Sequence, residues 1–418
     1  MSAALEVWLD SDLPAATMQA GTLTQDCGTL RFAYSPAWLS CPHAFAIDPA
    51  LTLDKGDFFC PATSEGTFGV FDDSSPDRWG KTLMKRREAL EAQDQGRVPR
   101  VLTAWDYLMG VQDVTRQGAL RLRTVGTEPF LANAPLPAPP FARLRELEAV
   151  ARELSARRID DLDALRRWLS VLVAPGASLG GARPKANFTG TDGSLWIAKF
   201  PSREDDRDVG AWEFVAHTLA AQAGIDVPGA QLLRFGKDFH TYCAERFDRV
   251  GGKRRFYASA LSLLRRNESE GASYLEIAEF IQRNGAARHI ARDLAQLFRR
   301  VVFNVATGNR DDHLRNHGFL LTPDGWRLAP AFDVNPNIEK AEHVLNLDDT
   351  NNSPSLAAVI ATAEWYGLSK DQGRVVVDEV IAVTRQWREA ASQAQVSRAD
   401  IEMTAVAFEC TTRAGAAM

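Results

Sequence analysis

The feature that most constrains this chain is the run GNRDDHLRNHGFLLTPDGWRLAPAFDVNP, Gly308 to Pro336. It follows an apolar-periodic helix carrying Leu294, Leu297, Phe298, Val301, Val302 and Val305, and Gly308 reads as that helix's C-cap. A polar loop then brings Asp311, His313 and Asn316 close together. Two strand-like runs, His317–Leu321 and Trp326–Leu328, joined by Thr322-Pro323-Asp324-Gly325, predict a hairpin that returns the chain to Ala331-Phe332-Asp333. An acid and an amide five positions apart, with a second acid delivered by a hairpin, are the parts needed to hold ATP-bound magnesium and orient a hydroxyl nucleophile. Taken alone, an Asp/Asn-rich loop equally satisfies its own turn backbone. The rest of the chain has to decide.

Length and composition set the frame. At 418 residues, 45% hydrophobic and 24% charged, the sequence has the profile of a soluble globular protein of two or three domains. A net charge of −6 argues against a broad nucleic-acid footprint, with a local basic patch left open. The five cysteines, Cys27, Cys41, Cys60, Cys243 and Cys410, are scattered without paired metal spacing and suit reduced thiols in a cytosol. No apolar run approaches about 18 residues and no charged-then-apolar leader is present, so neither a membrane span nor a secretory signal is expected.

Residues 1–125 begin β-rich, with candidate strands Leu5–Leu9, Thr29–Tyr34 and Phe68–Phe71. Ser75-Pro76 reads as N-cap and first position of a helix running to about Glu91. The loop FDDSSPDRWG around it, with an exposed-looking Trp79, reads as a capping loop. A proline-rich connector, Thr127–Pro140, precedes helical patterns through Leu144–Leu154 and Leu162–Leu172. Next comes Gly176 to Lys185, holding Ser178, Gly180, Gly181, Ala182, Arg183 and Lys185 ahead of the strand pair Ala186–Phe188 and Leu195–Phe200. Glycines, a serine and two cations there suggest amides and side chains aimed at phosphates, although the run is not a Walker A motif. Lys199, in an apolar strand, is either an edge-strand gatekeeper or a phosphate cation. A helix marked by Trp212, Val215, Ala216 and Leu219 carries Glu213, which is either a solvated carboxylate or the partner of such a lysine. Gln231–Phe235 and His240–Arg246 form another hairpin, ending in Glu245-Arg246-Phe247-Asp248-Arg249. Helices are expected at Tyr274–Arg283, Arg288–Thr307, Gly373–Ala391 and Arg398–Ala407, and His343–Ser355 is expected as a mobile surface loop.

Protein kinases use the same order of catalytic-loop Asp, Asn five residues on, hairpin and metal-binding Asp. Here the histidine follows the first Asp, and Phe332 precedes Asp333. The order of parts, clearest at 176–200, 243–249 and 304–337, resembles the HipA family of bacterial serine/threonine kinases, which act as toxins of toxin–antitoxin pairs. The resemblance implies an α+β, bilobal protein-kinase-like fold. Its parts would be a β-rich N-terminal subdomain over 1–126, a connector over 127–142, a kinase N-lobe over 143–249 and an α-helical C-lobe over 250–418. It implies ATP and Mg2+ as cofactors, Asp311 as the residue that accepts or orients the hydroxyl proton, and Asn316 and Asp333 as metal ligands. Lys199 would face the phosphates, held by Glu213, and Gly180, Gly181, Ala182 and Lys185 would form the phosphate loop. The Glu245, Arg246 and Phe247 backbone would bind adenine, with Phe247 lining its pocket, a role compatible with core packing. His313 joins the nucleotide-contacting set, though its expected role is to shape the loop.

By the same resemblance Ser178 is an autophosphorylation site that switches the enzyme off, whereas the residues alone also allow an ordinary loop serine. Arg183-Pro184 stands where better-known members often carry Gln-Glu, which leaves the phosphate contacts open. The implied partners are a protein substrate with a Ser or Thr acceptor, such as an aminoacyl-tRNA synthetase or another translation protein, and a HipB-like helix-turn-helix antitoxin. DNA would be reached only through that antitoxin, in the cytoplasm and without a membrane. Two other classes stay open: a small-molecule kinase on the same scaffold, and a non-catalytic nucleotide-binding component of a DNA-bound repressor complex. The intact Asp311, Asn316 and Asp333 set argues against the second.

Overall fold

The computed structural model describes residues 3–13, 16–26, 28–60, 66–131, 138–155, 162–176, 181, 183–237 and 239–411. The chain divides into two compact units, Met1–Glu204 with Asp248–Ala258, and Asp205–Phe247 with Ser259–Met418. This division falls elsewhere than the expected lobe boundary at residue 249. The segment after Phe247 returns to the first unit because Asp248 accepts the Gly118 N–H at 2.8 Å, and Arg254 Nη2 donates to the Asp113 carbonyl at 2.6 Å.

In the first unit, strands β1 (Ala3–Leu9), β2 (Met18–Asp26), β3 (Thr29–Tyr34), β4 (Phe58–Phe59) and β5 (Leu120–Thr124) form an antiparallel sheet in the order β4-β3-β2-β1-β5. Leu5, Val7 and Leu9 alternate inward along β1 with Leu23, Phe32 and Leu122 beside them, as a half-buried sheet requires. On the outer face Arg123 pairs with Glu6 and stacks 4.2 Å over Trp8. The expected strand at 68–71 is instead a short helix, Gly69–Asp73, with Val70 and Phe71 buried. A short apolar run does not by itself distinguish the two. The next helix, Arg78–Asp94, starts at Asp77 and not at Ser75: Asp77 Oδ1 accepts the Gly80 N–H at 3.1 Å, while Ser75 Oγ donates to the Phe71 carbonyl at 2.9 Å. Trp79, expected at the surface, is 4% exposed. The buried Arg116 donates to the carbonyls of Ser74, Leu108 and Val111, fixing the approach to this helix. The expected helices appear at Leu144–Leu154 and Leu162–Gly176. The antiparallel hairpin of β6 (Lys185–Thr189) and β7 (Leu195–Lys199) then sets Lys185 opposite Lys199.

In the second unit the helix Val209–Gln222 is capped by Asp208, whose Oδ1 accepts the Ala211 N–H at 3.0 Å and whose Oδ2 lies 2.5 Å from His240 Nδ1. Asp400 accepts both the Asp208 N–H, at 2.9 Å, and the Trp212 indole, at 3.2 Å. The hairpin of β8 (Ala230–Leu233) and β9 (Thr241–Glu245) follows. Helices Tyr274–Asn284 and Ile290–Thr307 come next, and the second ends at Gly308 with φ +63°. A Cβ at that position would also strike the backbone of Ala407, so glycine is required twice over. The predicted hairpin is present as Gly318–Thr322 and Gly325–Leu328. The single helix expected at 373–391 is two, Lys370–Thr384 and Trp387–Gln393. The segment expected to be a mobile loop, His343–Ser355, is packed down: Leu345 and Leu347 are fully buried, and Asn346 exchanges backbone bonds with Ala272 and Tyr274 at 2.9 and 3.1 Å. Its polar side chains serve its own turns, with Asp348 accepting from Thr350 and Asn351. Among the described residues no helix is long and apolar enough to cross a membrane.

Candidate active site

Gly308 releases the chain into the acid loop, and the two adjacent acids there have opposite environments. The Asp311 side chain is 58% exposed and ion-paired with Lys340. Asp312 is 3% exposed and collects the Tyr274 hydroxyl at 2.7 Å, Asn304 Nδ2 at 2.6 Å and His317 Nε2 at 2.9 Å. Burial pushes its carboxyl up, yet the His317 ring and the donors outweigh that and hold it below the usual carboxylate range. Burial, with Asp312 beside it, drives the Tyr274 phenol well above its ordinary value. Asp312 is thus the anchor of the loop and Asp311 its displayed acid. The sequence reading did not single out Asp312, Tyr274, Asn304 or His317. Asn304 and Asn309 flanking Gly308 were the available signal: Asn309 Nδ2 donates to Asn304 Oδ1 at 3.0 Å.

His313 sits within the turn of this loop. Its carbonyl accepts the Asn316 N–H at 2.8 Å, and Asn316 Nδ2 donates to the Asp311 carbonyl at 3.3 Å. Asn316, 8% exposed, opens with Phe332 and Val334 onto a cleft floored by Asn304, Asp312 and His317.

The second acid arrives on strained backbone. Asp333 sits at φ +57°, a left-handed conformation that a non-glycine residue holds only when its surroundings fix it. Asn335 helps to supply that fixing: its Nδ2 donates to the Val209 carbonyl at 3.1 Å, and Arg207 Nη2 holds the Pro336 carbonyl at 3.1 Å. These bonds tie the segment to the start of the helix bearing Glu213, which is 4% exposed and so not a solvated surface acid. Burial raises the Tyr242 phenol far above its ordinary value, and the charges of Glu213 and Asp333 push it the same way. Both carboxylates therefore lie within electrostatic reach of one ring. The Glu245 N–H is committed to the Gly229 carbonyl at 2.8 Å, Arg246 is buried, and the Phe247 ring lies 5.5 Å from that of Phe332. The division between units falls within this run, after Phe247.

In the first unit Lys199 ends β7. Lys185, expected to face phosphates, is instead 2% exposed and donates to Asp77 Oδ2 at 3.1 Å, because a buried ammonium needs a carboxylate partner. Gly181 has φ +96°. Ser178, Gly180 and Ala182 lie outside the described residues. Among the described residues no group of three or more His, Cys, Asp or Glu side chains forms a metal site. Asn316 and Asp333 offer an amide and a carboxylate oxygen, hard donors that suit Mg2+ once phosphate oxygens complete the shell.

An α+β chain with this order of buried helix acid, Glu-Arg-Phe-Asp-Arg run, acid–amide loop, hairpin and second acid has the architecture of the protein-kinase-like folds. Two family descriptions match it, the HipA N-terminal domain over residues 5–99 and the HipA-like C-terminal domain over 177–388, and the chain belongs to the HipA family. It is 26% identical over 262 residues to the serine/threonine-protein kinase toxin HipA of Shewanella oneidensis, a match covering 55% of this chain and 59% of that protein's length. A putative kinase of Sinorhizobium fredii is 28% identical over 358 residues, covering 79% of this chain and 76% of that one. The solved structure of Shewanella oneidensis HipA with HipB and operator DNA shares the fold, with a TM-score of 0.67 and 17% identity over 98% of this chain and 97% of that one.

Proposed function

We propose that this chain is an ATP- and Mg2+-dependent serine/threonine protein kinase acting as the toxin of a HipBA-type pair. The observation that carries the reading lies within the second unit: Asn316 and Phe332 line one cleft beside the loop that displays Asp311, and Phe247 packs against Phe332. Asp311 accepts or orients the proton of the acceptor hydroxyl, and Asn316 and Asp333 are the metal ligands. Mg2+, when bound, neutralises charge across the phosphates. Lys199 is assigned to the phosphates and Glu213 to orienting a phosphate-binding lysine. Glu245, Arg246 and Phe247 are assigned to adenine. Positioning and charge stabilisation suffice for phosphoryl transfer, so no nucleophilic cysteine is required.

Ser178 is proposed as the autophosphorylated residue, since a phosphate there adds about −1.5 to −2 charge beside the nucleotide phosphates. The partners proposed are a cytoplasmic protein with a Ser or Thr acceptor and a HipB-like antitoxin, the latter supported by the HipA–HipB–operator assembly of the Shewanella relative. The test is transfer of labelled phosphate from ATP by the purified chain, with mass spectrometry at Ser178. ATP with Mg2+ at about 100 times its dissociation constant should stabilise by about 2.7 kcal/mol. Asp333→Ala should lose the metal-dependent part of that increment. A wild-type chain that neither transfers phosphate nor is stabilised by ATP with Mg2+ overturns the reading.

A further inference from the structure

The run FDDSSPDRWG, which reads from sequence as a capping loop, makes three contacts that helix capping does not need. Asp77 Oδ2 accepts the Lys185 ammonium at 3.1 Å, Trp79 Nε1 donates to the Lys185 carbonyl at 3.1 Å, and the Trp79 N–H reaches the Gly181 carbonyl at 3.4 Å. All three span more than a hundred positions of sequence, and Lys185 and Trp79 are 2% and 4% exposed. Gly181 is fitted to the arrangement: its φ is +96°, and a Cβ there would lie 2.8 Å from Lys185 Nζ.

The electrostatics point the same way. Lys185 and Lys199 are cross-strand partners in the β6–β7 hairpin, so their side chains leave on one face, where two like charges repel. Asp77 cancels the buried one. Burial pushes the Asp77 carboxyl up while Lys185 draws it back down. Arg116, anchored on three carbonyls of its own unit, including that of Ser74 within the run, helps to hold the run in place.

We infer that Asp77 and Trp79 are positioning residues of the nucleotide site: they pin both ends of the segment Gly181–Lys185 and neutralise Lys185, so that Lys199 is the lysine the hairpin offers to phosphate. The inference rests on the kinase reading for the identity of the ligand. It gives the N-terminal subdomain a task in nucleotide binding, through residues that do not touch the nucleotide.

The test uses the full chain and Asp77→Asn, which preserves the helix cap, since Asn and Asp cap equally well, while removing the charge that holds Lys185. KM for ATP should rise about tenfold or more with kcat within about twofold, because the damage is to ground-state nucleotide binding. KM for the acceptor should not change. Trp79→Phe should move KM in the same direction by about threefold, as the loss of one neutral hydrogen bond implies. In the double variant Asp77→Asn/Lys185→Met the KM should be no higher than in Lys185→Met alone, since Asp77 acts through Lys185. Hydrogen exchange of the 181–187 amides should quicken in Asp77→Asn, and that readout needs no ATP. An unchanged or lowered KM for ATP in an active protein, or unaltered exchange at 181–187, overturns the inference. A wild-type chain without transfer sinks the kinase reading instead and leaves the exchange measurement to decide the bracing.

Discussion

The acid loop of the second unit and the hairpin root of the first solve one problem in two ways. Each buries a charged side chain within its motif, Asp312 in one and Lys185 in the other. Asp312 is satisfied within its own unit, by Asn304 and His317 nearby in the chain and by Tyr274 from another helix. Lys185 is satisfied by Asp77, from a different subdomain. Each motif also holds a second charge of the same sign beside the hidden one: Asp311 directly precedes Asp312 in the loop, and Lys199 lies opposite Lys185 across the hairpin. In each motif one like charge is buried and anchored, and on the proposed function the other is the one left for chemistry. Burial tells which is which.

The comparison breaks most sharply at the acid pair. Asp311→Asn should leave thermal stability unchanged and lower phosphotransfer by 10²–10⁴, about 3–5.5 kcal/mol of barrier, in a radiolabel assay. Its neighbour should do the reverse. Asp312→Ala strands three buried donors and should cost about 3–5 kcal/mol in denaturant unfolding. If Asp312→Ala unfolds like wild type, the anchor lies elsewhere.

The loop that packs against these acids supplies a pH test. Burial lowers the His343 imidazole from 6.5 to about 4, and Arg310 adds to the shift. The ring is 2% exposed, its loop held by Val344 N–H to the Arg310 carbonyl at 3.2 Å and by Arg310 Nη1 to the Lys340 carbonyl at 2.7 Å. A histidine whose folded value is depressed binds its proton mainly after unfolding. Its contribution is present above pH 6.5 and is lost as pH falls towards 4, by about 3 kcal/mol. His343→Phe should flatten the unfolding free energy over that window. The smallest effect belongs to Lys340: its pair with Asp311 is solvent-exposed, so Lys340→Ala should change stability by less than about 1 kcal/mol in chemical denaturation.

What the sequence disclosed follows the same division. Gly308, the hairpin after it and the hairpins β6–β7 and β8–β9 were readable because each is set by local turn chemistry and short-range periodicity. Asp311, Asn316 and Asp333 stood out because their spacing matches the acid–amide–acid order of kinases, and the structure places Asp311 and Asn316 on one loop with Asp333 beyond the hairpin. Asp77 and Trp79 were hidden, since nothing local says that a helix cap also receives a lysine more than a hundred positions away. The helix at Gly69–Asp73 was mistaken for a strand, and His343–Ser355 for a mobile loop, for a related reason: composition reports polarity, and the buried Leu345 and Leu347 owe their place to tertiary packing.

Gly308 lies hard against Ala407, Thr411 Oγ1 donates to the Ala306 carbonyl at 2.8 Å, and Asp400 secures the start of the helix that bears Glu213. The chemistry-bearing loop is thus finished by residues translated about a hundred positions after it. Because a chain leaves the ribosome from its N-terminus and its domains fold as units in that order, a nascent product stalled before residue 400 lacks the wedge behind Gly308. Such a product carries the whole motif without its scaffold. Synthesis has to pass residue 400 before the packing behind Gly308 is complete.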